Sequence, residues 1–253
     1  MNQDEGFVRA VYVGLVTRLR GLLDGTRLLR AWDRRVLAHP RGRLFHLRTL
    51  LALHRPEDLI LLDVPWWTYQ ARDRVEAFLT ELGGQARVLE FGSGASTVWL
   101  ARRSATVHSV EHDDFWAGRV RAMLADTPGL RATPRVHVPP VPSSATPVVA
   151  SGAPSGRGLD FAAYVDVPAT LATTFDLVLV DGRAREESLL RALPLLAPGG
   201  LALLDDSQRA RYQPTLRRLA EQGWIVETTR GATPCQPFPR ETTLISPAPT
   251  APA

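Results

Sequence analysis

Short apolar runs alternate with amphipathic stretches from about residue 60 to the carboxyl end of the chain. Apolar runs of this length predict buried strands, and the amphipathic stretches between them predict helices. The predicted strands are 87–91, 106–111, 135–138, 175–181, 200–204, 224–229 and 242–246. The predicted helices are 66–82, 96–103, 115–125, 186–196 and 212–222, and the fourth is expected to end before Pro198, Gly199 and Gly200.

This alternation predicts an α/β fold with a Rossmann-like, doubly wound sheet of seven mostly parallel strands. The last two strands are joined by a loop rich in Pro and Gly with no helix, so they are expected to pair antiparallel. Residues 1–60 form a predicted helical extension, 61–247 the main domain, and 248–253 a disordered tail. We find no internal repeat.

The first segment has the spacing of a helix with one apolar face, formed by Phe7, Val8, Val11, Tyr12, Leu15, Val16, Leu19, Leu22 and Leu23. Residues 1–55 also hold 11 Arg against four acidic residues, a charge of +7 within a chain of +4. We favour a helix that packs this face on the main domain or on a second subunit. Contact with a membrane surface or another anionic partner is the second interpretation. Nucleic acid is not expected as a partner.

The segment 139–158 has Pro, Ser, Ala or Gly at most positions and predicts a flexible loop at the carboxyl edge of the sheet. An insertion without function and a lid over the substrate are both open interpretations. Together with residues 229–239 and the N-terminal segment, this loop is expected to form the acceptor pocket.

All 30 basic residues are Arg, and the absence of Lys excludes a P-loop, a Schiff-base enzyme and a protein kinase. The single Cys excludes an internal disulfide and a Cys-rich zinc site. The polar amino terminus and the lack of a long apolar run predict no signal peptide and no membrane span. We therefore expect a cytoplasmic protein.

The first predicted strand runs into a glycine turn, EFGSGAST, and then into a helix. Gly92 and Gly94 permit a sharp turn and the close approach of a ligand. The second strand ends at Glu111, where an acid can accept hydrogen bonds from ribose hydroxyls. A dinucleotide-binding site normally has a third glycine at the position where this chain has Thr97. The carboxylate of Glu90 would repel a pyrophosphate but attract an amine. The pattern favours S-adenosylmethionine.

With these motifs, the sequence from Pro65 to Ile245 resembles the class I S-adenosylmethionine-dependent methyltransferases. The glycine turn at 90–94 is similar to their first motif and SVEHD at 109–113 to their acidic second motif. FDLVLVDG at 175–182 and LAPGGLALL at 196–204 resemble the fourth strand and the turn into the fifth. The resemblance implies a seven-stranded sheet with its last strand reversed. It places the cofactor at Glu90, Gly92, Ser93, Gly94, Ser96, Thr97, Glu111 and His112, with the ribose on Glu111 and adenine against His112.

Three aromatic residues, Trp66, Trp67 and Tyr69, precede the first strand. They are candidates for core packing, and equally for a wall of the pocket that contacts the sulfonium. Trp67 is our cofactor candidate among them.

Three aspartates follow the fourth and fifth strands: Asp181, Asp205 and Asp206. Parallel strands place such residues at one edge, where Mg²⁺ would relieve their repulsion. The pattern is similar to metal-dependent, macrocin-type and catechol-type O-methyltransferases, which implies these three as metal ligands. The alternative is a site without metal in which the aspartates pair with Arg183, Arg185 or Arg209.

The catechol-type enzymes carry a Lys base where this chain has Arg, which stays protonated. Proton removal is therefore expected from a carboxylate, with Asp181 as the candidate, and a His or a metal-bound hydroxyl stays the alternative. The predicted activity is methyl transfer to a small-molecule acceptor, at a hydroxyl oxygen, with an acidic or hydroxyl-rich acceptor preferred. An NAD-dependent oxidoreductase and a non-catalytic cofactor-binding or membrane-associated scaffold are the alternatives, and a homo-oligomer stays open.

Overall fold

A computed structural model describes residues 3–248, with side chains from residue 11 onward. Its centre is one sheet of seven strands in the order β3-β2-β1-β4-β5-β7-β6. The strands are β1 (Arg87–Phe91), β2 (Thr106–Val110), β3 (Arg135–His137), β4 (Phe175–Val180), β5 (Leu196–Asp205), β6 (Ile225–Gly231) and β7 (Arg240–Ser246). Strands β1 to β5 pair in parallel, and β7 runs antiparallel to both β5 and β6. The predicted Rossmann-like fold, including the reversed last strand, is confirmed.

Ten α-helices are described in residues 3–248. They are α1 (Gln3–Leu23), α2 (Arg27–Ala38), α3 (Arg43–Leu50), α4 (Pro56–Leu61), α5 (Tyr69–Glu81), α6 (Ala95–Ala101), α7 (Asp114–Asp126), α8 (Ala162–Asp166), α9 (Arg185–Ala192) and α10 (Gln213–Glu221). Helix α5 begins three residues later than predicted because Thr68 is its N-cap and accepts a hydrogen bond from Ala71 N. None of the described helices is long and apolar enough to span a bilayer.

The start of β5 differs from the prediction. Helix α9 ends at Ala192, a 3₁₀ turn containing Pro194 follows, and β5 then begins at Leu196 rather than at Gly200. Pro lacks the amide hydrogen that a continuing helix needs, which explains the early end of α9. The pairing of β4 with β5 shifts register between Phe175 and Leu177, at the level of these extra residues.

Both faces of the sheet are covered, as a parallel sheet requires. Alternate residues of β4 enter opposite cores: Val178 and Val180 pack on one side, and Leu177 and Leu179 on the other. The carboxyl ends of β1, β2, β4 and β5 therefore meet at one edge on a rigid platform.

The four N-terminal helices are joined by a buried ionic network to which each contributes one residue. Asp58 of α4 accepts hydrogen bonds from Arg20 of α1 and from Arg48 of α3. Arg48 also donates to Asp33 of α2 at 2.6 Å. Tyr12 links the helices to the main domain by donating to the carbonyl oxygen of Cys235.

The apolar arc of α1 is wider than the surface that covers it. Tyr12, Val16 and Leu23 pack into the hydrophobic cluster that the N-terminal helices form with Cys235. Val11 and Leu15 are exposed. The predicted single packed face is therefore only partly correct. Phe7 and Val8 lie outside the described side chains, and the predicted disorder of the tail falls on residues 249–253, outside the described part of the chain.

The segment 139–158 is better packed than its composition indicates. Asp160 accepts hydrogen bonds from the amides of Val148, Val149 and Ala162, and Val149 is buried in the core. These hydrogen bonds lower the pKa of Asp160. The carboxylate of Asp160, just beyond the loop, thus holds the loop in place by hydrogen bonds. The prediction used only the composition of residues 139–158 and did not include Asp160.

Candidate functional site

The glycine turn follows β1 at the carboxyl edge, and its two glycines have different surroundings. Gly92 has φ +93°, and a Cβ there would lie 2.6 Å from the Cα of Gly182, so it permits β1 and β4 to come together. At Gly94 a Cβ would meet no atom within 4 Å. Gly94 therefore borders open space that a ligand can enter, while Gly92 is required by packing within the protein.

Glu90 lies fully buried beneath the turn. Ser96 Oγ, Thr97 Oγ1 and Ser109 Oγ donate hydrogen bonds to its carboxylate at 2.5, 2.6 and 2.6 Å. Burial raises the pKa of Glu90 to about 7, these hydroxyls oppose the shift, and the charge of Asp181 adds to it. In this arrangement Glu90, Ser96 and Thr97 fix the start of α6, and a direct contact of Glu90 with a cofactor amine stays a prediction.

Glu111 and His112 stand at the end of β2 beside the glycine turn. One carboxylate oxygen of Glu111, Oε1, accepts from the amides of His112 and Asp113 and from His112 Nδ1. The other, Oε2, accepts from Ser93 N at 3.1 Å and has no further donor among the described residues. A carboxylate oxygen can accept two hydrogen bonds, so Oε2 retains capacity for a ribose hydroxyl.

Trp67 lies in the core rather than at the site edge. Its side chain is fully buried and meets the ring of Trp99 edge-on at 5.7 Å between centroids. The core-packing alternative therefore fits the structure better than the pocket wall. Tyr69 is similarly engaged, because its hydroxyl lies 3.1 Å from Thr49 Oγ1.

The three aspartates do converge, but they surround the guanidinium of Arg185. Arg185 Nη2 donates to Asp181 Oδ1 at 2.6 Å, and Nη1 donates to the carbonyl oxygen of Asp205 at 2.6 Å. Nη1 also lies 3.9 and 3.6 Å from carboxylate oxygens of Asp205 and Asp206. The sequence-based alternative in which arginine pairs with these acids thus describes the structure.

The same cluster separates the pKa values of the three carboxyl groups. Burial raises the pKa of Asp181 to about 6, against the opposing charge of Arg185, and the pKa of Asp205 rises well above its usual value. Burial also acts on Asp206, but the guanidinium groups of Arg185 and Arg209 hold its pKa below the usual value. Only Asp181 combines a pKa near neutrality with an accessible side chain, which is 26% exposed.

The predicted magnesium site at Asp181, Asp205 and Asp206 does not fit this arrangement. The space between the carboxylates is filled by a buried cation that belongs to the chain, Arg185, and Arg209 adds a second positive charge beside Asp206. Across residues 3–248, no group of three His, Cys, Asp or Glu is arranged to hold a metal ion. The metal interpretation took Mg²⁺ as the cation between the aspartates, whereas the alternative from the sequence paired them with arginine, and that alternative fits the structure.

A cavity of about 370 Å³ is lined in part by Gly182, the residue that follows Asp181 in the chain. Its walls contain four arginines and two glutamates. Arg185, Arg191 and Arg209 are in ion pairs with acids, which leaves Arg211 as the wall arginine with no ion pair to a described side chain. The charged residues of the wall are Arg185, Arg191, Arg209, Arg211, Glu186 and Glu187. Of the three segments expected to form the acceptor pocket, the loop 139–158 lines this cavity through residues 148–153, while residues 229–239 and the N-terminal segment do not.

Three side chains at the site were missed from the sequence. Trp116 Nε1 donates to the carbonyl oxygen of Ser93 at 2.8 Å and so fixes the glycine turn. Tyr164 is buried, and its hydroxyl occupies the space in which a Cβ of Gly182 would lie. The ring of Phe161 packs on His112 at 5.7 Å. The only sequence signal was their aromatic character, which core residues share.

Comparison with known proteins agrees with this geometry. Residues 89–207 match the family model of a methyltransferase domain. A protein-L-isoaspartate O-methyltransferase of Anaeromyxobacter dehalogenans (strain 2CP-C) is 37% identical over 149 residues, which cover 55% of this chain and 68% of that protein.

One solved structure shows the same fold. The O-methyltransferase from Bacillus cereus in complex with SAH superposes with a TM-score of 0.51 at 16% identity, covering 86% of this chain and 98% of that one. A methyltransferase-like protein from Silicibacter pomeroyi DSS-3 is 26% identical, with a TM-score of 0.48 and coverage of 71% and 88%.

Proposed function

Since this chain belongs to the class I S-adenosylmethionine-dependent methyltransferases, we propose that it methylates a hydroxyl oxygen of a small-molecule acceptor. The observation that carries the proposal is Asp181, a partly exposed carboxyl group with a pKa of about 6 at the end of β4. Asp181 directly precedes Gly182, which lines the cavity, and in the proposal it serves as the base for a hydroxyl proton. The NAD-dependent alternative has no support in the family match.

The cofactor site is assigned to the open side of the glycine turn. S-adenosylmethionine, when bound, supplies a methyl group activated by a sulfonium. Gly94 leaves room for the methionine part, Glu111 Oε2 accepts from a ribose hydroxyl, and the ring of His112 offers a surface for adenine. These residues bind and orient, which is the main contribution that a displacement reaction requires from the protein.

In this proposal Asp181 takes the proton of the acceptor hydroxyl. S-adenosylmethionine, if bound at the turn, would supply the methyl group to the hydroxyl oxygen with cleavage of its carbon–sulfur bond and release of S-adenosylhomocysteine. Arg185 holds the carboxylate through Asp181 Oδ1 and also through the backbone oxygen, at 2.6 and 2.8 Å. This fixes the orientation of the base while its second oxygen, Oδ2, stays available. In this scheme Arg185 and Arg209 offset the negative charge of the aspartates, and the proposed reaction uses no metal.

A second acceptor class is favoured by the relative from Anaeromyxobacter dehalogenans, whose name specifies O-methylation of protein L-isoaspartate. The side group of isoaspartate is a carboxylate, and Arg211 of the cavity wall, which has no ion pair to a described side chain, offers a guanidinium to it. A carboxylate attacks as an anion and has no proton to lose. Asp181 would then be dispensable for chemistry, which distinguishes the two candidates.

The linkage formed with isotopically labelled S-adenosylmethionine tests the proposal. Small-molecule extracts and isoaspartyl peptides would be incubated with the enzyme, and the labelled products would then be treated with mild base. A methyl ether formed from a hydroxyl survives, whereas a methyl ester formed from a carboxylate releases labelled methanol. A base-stable product supports the hydroxyl acceptor; an exclusively base-labile product on peptides replaces it with the second candidate.

A further inference from the structure

Helix α1 leaves a stripe of large aliphatic side chains in water. Val11, Leu15, Leu19 and Leu22 are between 42% and 77% exposed, although the opposite side of the helix is packed on the main body. At 100° per residue, Val11, Leu15 and Leu22 fall within about 40° of one another, and Arg18 lies about 20° beyond Val11. We call Val11, Leu15, Leu19 and Leu22 the α1 stripe. A helix that is apolar beyond its packed face is unusual for a surface that meets only water.

The neighbouring helices continue this character. Leu28 and Leu37 of α2 and Leu44 and Leu47 of α3 are also exposed. All are leucines, and Trp32 of α2 is half-buried rather than exposed. The N-terminal helices therefore present aliphatic groups without the exposed aromatic rings on which nucleic acid bases stack.

Positive charge is left over on the same helices because their acids are used internally. Asp24 pairs with Arg20 and Arg55, and Asp33 pairs with the buried Arg48. Six exposed arginines have no ion pair with any acid whose side chain is described: Arg18, Arg27, Arg30, Arg34, Arg35 and Arg43. The exposed surface of this segment is thus aliphatic and cationic, with no acid from residues 11–55 left to balance it.

Charge decides among the surfaces that could cover the α1 stripe. A second copy meeting it through the same face would bring together two segments of charge +7, with Arg18 beside the contact. An anionic bilayer surface complements the arginines and accepts the leucines, while long guanidinium side chains reach the headgroups.

From this complementarity we propose that helices α1 to α3 dock the enzyme onto a membrane surface rich in anionic lipid, through the α1 stripe and the unpaired arginines. The docking is peripheral, and it is independent of the proposed methyl acceptor. It would hold the catalytic edge at a membrane without any change in the residues that carry the chemistry.

Vesicle co-sedimentation of the full chain tests the proposal. Vesicles of phosphatidylcholine alone would be compared with vesicles of phosphatidylcholine mixed with phosphatidylglycerol, at low and high salt. We expect binding to the anionic vesicles only, and weakening as salt is raised. Equal partitioning into both kinds of vesicle, or no pelleting with either, would overturn the proposal.

Two sets of substitutions separate the apolar and the ionic contributions. Leu15→Gln with Leu22→Gln should weaken binding by about tenfold or more, since two aliphatic side chains lose their burial in lipid. Arg27→Gln, Arg34→Gln and Arg35→Gln together should weaken it by about 100-fold, at about fivefold for each arginine. All five side chains are exposed, so thermal unfolding of the variants should match the wild type.

A matched control carries Ile225→Gln, Arg217→Gln and Arg218→Gln, which change equally exposed residues of β6 and α10. Wild-type vesicle binding by this control supports a role for the N-terminal helices. If the control loses as much vesicle binding as the N-terminal variants, net charge explains the binding and the proposal is overturned. Sedimentation velocity without lipid covers the other occupant: a dimer abolished by Leu15→Gln with Leu22→Gln would assign the stripe to a second copy instead.

Discussion

Glu90 and Asp181 are carboxyl groups at the same edge of the sheet, on neighbouring strands, and burial raises the pKa of both. Their partners differ. Glu90 is fully enclosed and held by three neutral hydroxyls, whereas Asp181 is paired with the guanidinium of Arg185 and keeps part of its side chain exposed. The difference separates a carboxyl group that shapes the turn from one that can meet a substrate.

The largest effect is expected from removing the base while keeping its shape. Asp181→Asn should lower kcat by about 10²- to 10⁴-fold, the usual contribution of a general base, while the affinity for S-adenosylhomocysteine stays unchanged. In the wild type, kcat/KM should fall tenfold per pH unit below about 6, where Asp181 becomes protonated. Steady-state kinetics between pH 5 and 8 would measure both effects.

The matched control is Asp176→Asn, at the other end of β4, where the carboxylate pairs with Arg87. This variant should lose stability but keep the wild-type pH profile. Wild-type kcat in Asp181→Asn would contradict the assignment of the base and favour a carboxylate acceptor.

Glu90 should govern stability rather than rate. Its pKa in the folded state, about 7, lies above the 4.5 of an ordinary glutamate, so the folded state binds more protons between these values. The free energy of unfolding should therefore decrease as pH rises from about 4.5 to about 7, by up to about 3 kcal/mol from this group.

Denaturant unfolding of Glu90→Gln should show a smaller decrease over the same pH range, because the substituted amide does not titrate. Glu81→Gln, at an exposed position at the end of α5, should retain the wild-type dependence. An unchanged pH dependence in Glu90→Gln would show that the buried carboxyl group is not the one that titrates.

The two glycines of the turn extend the comparison to binding and folding. Gly94→Val places a side chain in open space and should reduce the affinity for S-adenosylhomocysteine about tenfold or more, with little change in Tm. Gly92→Ala forces a Cβ against Gly182 and should destabilise the protein by about 1–3 kcal/mol. Calorimetry would measure the affinity of both variants for S-adenosylhomocysteine, and thermal unfolding would measure their stability. Unchanged affinity in a Gly94→Val variant that has lost stability would place the ligand elsewhere.

No effect at all is expected from chelation. With Arg185 between the aspartates, activity in excess EDTA should equal activity with added Mg²⁺. A loss that Mg²⁺ restores would contradict the reported arrangement and return Asp181, Asp205 and Asp206 to the role of metal ligands.

Much of the fold could be predicted because the apolar runs and glycine turns have regular spacing. The centres of all seven strands were correct, and so was the reversed pairing of β7 with its neighbours. Errors concentrate where side-chain partners decide: Arg185 is only four residues from Asp181, yet nothing in the spacing shows that its guanidinium turns into the cluster. Likewise, nothing in the sequence around Trp67 indicates whether its ring faces the core or the cofactor pocket.

Binding of the cofactor product is the decisive measurement for a cofactor site at the glycine turn. Isothermal titration of the full chain with S-adenosylhomocysteine should give a saturable heat with one site per chain, and titration with NAD should give none. Binding of S-adenosylhomocysteine that is lost in Gly94→Val would place the cofactor at the glycine turn. No heat with S-adenosylhomocysteine from folded protein, or saturable binding of NAD instead, would contradict the assignment of S-adenosylmethionine as the cofactor.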